Sequence, residues 1–113
     1  MGPEASLEPR NKGWSDPFVG RQFARFQEFL EERHEALQEG ENPVDVAEHL
    51  CEWSRNLLNR TFGRTTKEEL CRISELFAQA AALIRRWKEP LPESGREQCE
   101  VFASHIERRT KNL

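Results

Sequence analysis

The sequence predicts an all-α fold, an up-down-up-down four-helix bundle with a flexible N-terminal tail, on three observations. Leu70, Ile73, Phe77, Ala80, Ile84 and Trp87 recur at spacings of three and four residues, the rhythm of one face of an α-helix and of no strand. Three further segments read the same way, each opened by a capping or proline signal. The links between them are short, at 40–42, 63–65 and 89–93, and short links force consecutive helices to lie antiparallel.

Residues 1–15 hold two prolines, two glycines and scattered charge, with Leu7 and Trp14 as the large apolar residues. This composition predicts a disordered or loosely docked tail, and residues 16–113 form one helical domain. Asp16-Pro17 supplies an N-cap and the favoured first-turn proline. The first helix is expected over about 17–39, with Val19, Phe23, Phe26, Leu30 and Leu37 as its stripe and Gly40 as its stop. Asn42-Pro43 repeats the device for a second helix over about 43–62, ended by Gly63. On a helical wheel Val44, Val46, Ala47, Leu50, Cys51, Trp53, Leu57, Leu58 and Phe62 share the half expected to face the core.

Thr66 with Glu69 forms a capping box at the start of a third helix, about 66–88, which Pro90 and Pro92 follow. Its apolar arc is wide enough to touch two neighbours. Ser94 with Glu97 reads as another capping box, opening a fourth helix over about 94–111. The stripe there, Cys99, Phe102, Ala103 and Ile106, is narrower, so this helix is expected to be the most peripheral. No repeat of 20–50 residues is visible, which disfavours a solenoid.

Composition narrows the function classes. With 113 residues, seven Phe and three Trp, the chain has material for one core without staples. Its 33% charged residues and mean hydropathy of −0.83 imply a heavily solvated surface. No stretch approaches the roughly 20 apolar residues needed to span a bilayer, so no membrane partner is expected. The first six residues lack a basic region followed by an apolar one, which argues against a secretory signal and for an intracellular protein, cytoplasmic or nuclear. Three cysteines, Cys51, Cys71 and Cys99, are odd in number and lack CxxC spacing, pointing to buried free thiols in a reducing compartment.

Nothing in the chain reads as catalytic machinery. His34, His49 and His105 fall on polar helix surfaces, and Glu31-x-x-His34 lacks the second pair that a di-iron bundle requires. His49, among Asp45, Glu48, Glu52 and Trp53, lacks the setting of a phosphorelay histidine. Phosphate-binding glycine loops, GxSxG and HExxH are missing. No enzyme activity, metal or cofactor is expected.

One pattern does point to binding. If the helices alternate in direction, one end of the bundle collects residues 16–27, 53–76 and 104–113, with net charge +5, while the other end carries −8. Helix macrodipoles favour bases at C-termini and acids at N-termini. They account for Arg60, Arg64, Arg108, Arg109 and Lys111, but not for Arg21 and Arg25 early in the first helix, nor for Glu35 and Glu39 late in it. The basic end, with Arg21, Arg25, Arg60, Arg64, Lys67, Arg108, Arg109 and Lys111, is therefore expected to receive an acidic partner. Phe18 and Phe29 form a shoulder beside the main stripe of the first helix, flanked by Trp14. The shoulder packs on the fourth helix or the tail, or else it is an exposed contact patch.

The leading expectation is a non-catalytic protein–protein interaction module, an adaptor or small subunit, whose partner brings an acidic or amphipathic segment. The alternative is a nucleic-acid-associated domain that binds phosphate through the same basic end. The overall charge of −3 opposes it.

Overall fold

The computed structural model describes residues 13–111. Four helices make up its regular structure: α1 (Pro17–Gln38), α2 (Pro43–Thr61), α3 (Lys67–Trp87) and α4 (Glu93–Arg108). Three of the four start as the local chemistry dictates. The Phe18 amide donates to Asp16 Oδ1 at 2.9 Å, and the Val44 amide donates to Asn42 Oδ1 at 2.9 Å. At α3 the capping box is complete: the Glu69 amide donates to Thr66 Oγ1 at 3.1 Å, and the Thr66 amide donates to Glu69 Oε1 at 3.0 Å. Caps of this kind are worth about 1 kcal/mol each. Beyond α1 and α2 the chain turns at Gly40 and Gly63, whose φ angles of 105° and 74° strain any residue with a Cβ.

The fourth helix departs from expectation at both ends. It begins at Glu93 behind Pro92, with no side-chain cap hydrogen bond, so the expected Ser94–Glu97 box does not form. The Arg96 guanidinium donates to the Leu91 carbonyl at 2.7 Å and pins the linker one residue earlier. At the far end the helix stops at Arg108, not 111, and the chain turns through 109–111.

Long-range ties fix the directions. Ser15 bonds to Glu69 and Asp16 to Arg64, which brings together the start of α1, the end of α2 and the start of α3. Gly95 lies beside Val44, and Arg109 reaches Ser54, so α4 runs in the same sense as α2. The bundle is up-down-up-down. Its centre is the α2–α3 pair, flanked by α1 on one side and α4 on the other. Among the described residues, no Cα of α1 lies within 8 Å of a Cα of α4. Nor is α4 peripheral, since it sits in the groove between α2 and α3 and packs on both.

Phe26, Phe77, Leu50, Ile73, Ile84 and Ile106 are fully buried, each contributing roughly 2 kcal/mol over an exposed side chain. The Phe26 and Phe77 rings meet at 5.4 Å across the α1–α3 contact. Ala47, Ala80, Ala81 and Ala103 have no exposed surface, and their small side chains allow close approach of neighbouring helices. Buried Ser54 and Thr61 donate to the Cys51 and Leu57 carbonyls of their own helix, so neither hydroxyl is left without a partner.

Three expectations are corrected here. Phe62, assigned by the wheel to the core half of α2, is 78% exposed, because no fourth helix covers that end of the bundle. Cys71 is exposed, while Cys51 and Cys99 are buried. Of the expected N-terminal tail, residues 1–12 lie outside the described residues, whereas Gly13–Ser15 are firmly docked. The Ser15 amide donates to Glu69 Oε2 at 2.7 Å, and Arg72 donates to the Gly13 carbonyl at 3.2 Å.

Candidate functional site

Alone among the four helices, α1 has no acidic residue in its first turn and no basic residue in its last. Its N-terminal half instead presents Arg21 and Arg25, both exposed. Neither forms an ion pair or hydrogen bond among the described residues. Arg25 lines a cleft of about 140 Å³ between α1 and α2, together with Gln22, Phe26, Trp53, Asn56, Leu57 and Arg60. Arg60 Nη1 bridges the cleft to Gln22 Oε1 at 3.3 Å. No carboxylate lines this cleft.

Arg64, just past the end of α2, ties back to the start of α1. Its Nε donates to Asp16 Oδ2 at 2.7 Å, and its guanidinium lies 4.4 Å from the centre of the Phe18 ring. The hydrogen bond from Arg64, then that from the Phe18 amide, hold the Asp16 carboxyl below the usual carboxylate range, with Arg21 adding a smaller effect. Phe18 is thus a platform for Arg64, not a bare aromatic. Phe29 stacks on Trp53 with centroids 3.7 Å apart and planes 5° from parallel. The shoulder of α1 therefore packs on α2, and not on α4.

Trp14 was expected on the same exposed patch, and the structure buries it instead, leaving 9% accessible. Its ring lies 4.8 Å from Phe23, and the Arg72 guanidinium covers it at 4.0 Å. The cause is Glu69, a carboxylate 4% exposed that accepts from the Ser15 amide and hydroxyl and from the Thr66 amide. Burial alone would raise the Glu69 pKa. The hydrogen bonds outweigh it and hold the carboxyl below its ordinary value. Sequence spacing identified Glu69 as half of a capping box, and the 54-residue reach to Ser15 had no local signature.

The eight cations expected at one pole divide between two sides of the α2–α3 pair. Arg21, Arg25, Arg60 and Arg64 gather on the α1 side. Arg108 and Lys111 are exposed at the end of α4, no Cα of which lies within 8 Å of a Cα of α1. Lys67 is exposed at the start of α3. Arg109 is half-buried and engaged within the fold: its Nε donates to Ser54 Oγ at 2.8 Å, and Nη2 reaches the Cys51 carbonyl at 3.3 Å and Sγ at 3.1 Å. The basic end is split because α1 and α4 stand on opposite flanks of the α2–α3 pair.

His34 is half-buried, edge-on to Trp87 at 6.5 Å, while His49 and His105 are exposed. Among the described residues, no three His, Cys, Asp or Glu side chains group as metal ligands. No helix among them is long and apolar enough to cross a membrane. No family model, curated protein or solved structure matches the chain.

Proposed function

We propose that this domain is a non-catalytic protein–protein interaction module whose α1–α2 surface receives an acidic segment of another protein. The observation that carries the reading is the pair Arg21 and Arg25. They stand near the positive end of the α1 dipole, where they cost a few tenths of a kcal/mol each, and among the described residues neither forms an ion pair, Arg21 acting on Asp16 only as a small long-range effect. Arg60 and Arg64 extend the cationic surface, while Gln22 and Asn56 add neutral hydrogen-bonding groups at the cleft. Carboxylates of a partner would bind these guanidiniums in paired hydrogen bonds.

The test compares the protein with its Arg21→Glu/Arg25→Glu variant as baits in cell extract. The variant is expected to melt within a few degrees of the parent, because both side chains are exposed, and to lose the proteins the parent retains. Retention of the same proteins refutes the reading, and unfolding assigns the two residues a structural role. Capture of RNA or DNA, with affinity falling steeply as salt rises, would replace the acidic protein by a phosphate backbone.

A further inference from the structure

The groove between α2 and α3 is longer than the helix that fills it. Over its lower part α4 supplies an apolar stripe, Cys99, Ala103 and Ile106, and two carboxylates, Glu100 and Glu107, that grip Arg85 of α3 at 2.8 Å each. Above the end of α4, no described residue covers the continuation of this groove, an open trough of about 490 Å³ whose apolar walls are Leu58, Phe62 and Leu70.

Helical geometry shows that this upper part repeats the lower. Phe62, the cap residue just past α2, stands eighteen residues, or five turns, beyond Val44, and so continues the same meridian of the helix. Val44 is the residue that faces Gly95 at the start of α4. Lys67 stands the same five turns before Arg85 on α3, on the meridian that holds the carboxylates of α4. Lys67 has no hydrogen bond or ion pair among the described residues, and Arg108 and Lys111 add positive charge where α4 ends. No charged side chain of either sign lines the trough itself, and Lys67 stands two residues beyond Thr65 of its wall.

We propose that this upper groove is a docking site for an acidic amphipathic helix of another protein, which lies in line with α4. The helix would place apolar side chains against Leu58, Phe62 and Leu70, and a carboxylate on Lys67, as α4 does with Arg85. The site lies across α2 from Arg21 and Arg25, so it is independent of the α1–α2 surface and each can fail alone.

The experiment uses a fluorescein-labelled helical peptide with leucines at i, i+4 and i+7, the spacing of the α4 stripe, and glutamates elsewhere. A control peptide carries lysines in place of the glutamates. Fluorescence anisotropy is expected to show saturable binding of the acidic peptide. Phe62→Ser should weaken it at least tenfold and Lys67→Glu at least threefold, while Arg21→Glu/Arg25→Glu leaves it unchanged. Both substituted side chains in the groove are exposed, so the fold survives their loss, which circular dichroism checks.

Failure of the acidic peptide to bind, equal binding of the lysine peptide, or indifference to Phe62→Ser overturns the proposal. Two other occupants would also overturn it. A concentration-dependent dimer in sedimentation, abolished by Phe62→Ser, would make the occupant a second copy. Nuclear Overhauser contacts from residues 1–12 to Phe62 would make it the chain's own N-terminal segment.

Discussion

Glu69→Ala tests whether one buried carboxylate holds the N-terminal approach to the bundle. The substitution removes the acceptor of the Ser15 amide and hydroxyl and half of the α3 capping box. Loss of the box costs about 1 kcal/mol. Each amide bond to a charged acceptor is worth about 1.5 kcal/mol, and relief of the carboxylate's desolvation returns part of the sum. The expected net loss is about 2–3 kcal/mol, lowering the melting temperature by roughly 10–20 °C for a domain of this size. Urea denaturation at pH 7, followed by tryptophan emission, measures it.

The pH dependence has a definite sign. Glu69 is held below its ordinary pKa in the fold, so the unfolded chain binds the proton more readily. Its stabilisation is fully present above the unfolded value of about 4.3 and is lost as the pH falls through the lower native value. Asp16, Glu100 and Glu107 are shifted the same way and remain in the variant. The variant should therefore keep an acid limb shallower than that of the parent. A double-mutant cycle with Trp14→Ala should give a coupling of about 1 kcal/mol, because Glu69 and Trp14 act through the same docked residues. Strict additivity, together with an unchanged acid limb, refutes the argument.

Ile73→Asp should destabilise by several kcal/mol, since Ile73 has no exposed surface and a buried carboxylate is costly; a soluble variant with parental urea midpoint would remove α3 from the centre of the core. In the native protein, thiol titration with a disulfide reagent should modify Cys71 rapidly and leave Cys51 and Cys99 protected until urea opens the fold. Burial pushes the Cys99 thiol up, which further slows its reaction. Fast modification of all three in folded protein would contradict the packing of α4.

What was legible in the sequence is what neighbouring residues decide among themselves. Asp16-Pro17, Asn42-Pro43 and Thr66 with Glu69 start their helices as local hydrogen bonding requires, and Gly40 and Gly63 sit where a positive φ is needed. The three-four rhythm identified Phe26, Leu50, Ile73, Phe77 and Ile84, all of them buried. A wheel, however, shows which half of a helix is apolar and not how far its neighbour reaches. That is why Phe62 was assigned inward and why the groove beside it had no signature of its own. The candidate site divided in the same way. The anomaly of Arg21 and Arg25 against the dipole was readable from order alone. The burial of Trp14, the capture of Arg109 by Ser54, and the separation of Arg108 from Arg21 depend on contacts between residues more than fifty positions apart.

The absence of any meeting between α1 and α4 bears on how the molecule transmits change. Among the described residues each outer helix packs on the middle pair, and α1 also on the docked Trp14, so a disturbance on one flank reaches the other through α2 or α3. Substitutions placed on opposite flanks should add in free energy, and two ligands held there would be indifferent to each other. A spine with two separately addressable sides would let the two proposed docking surfaces be occupied independently of each other.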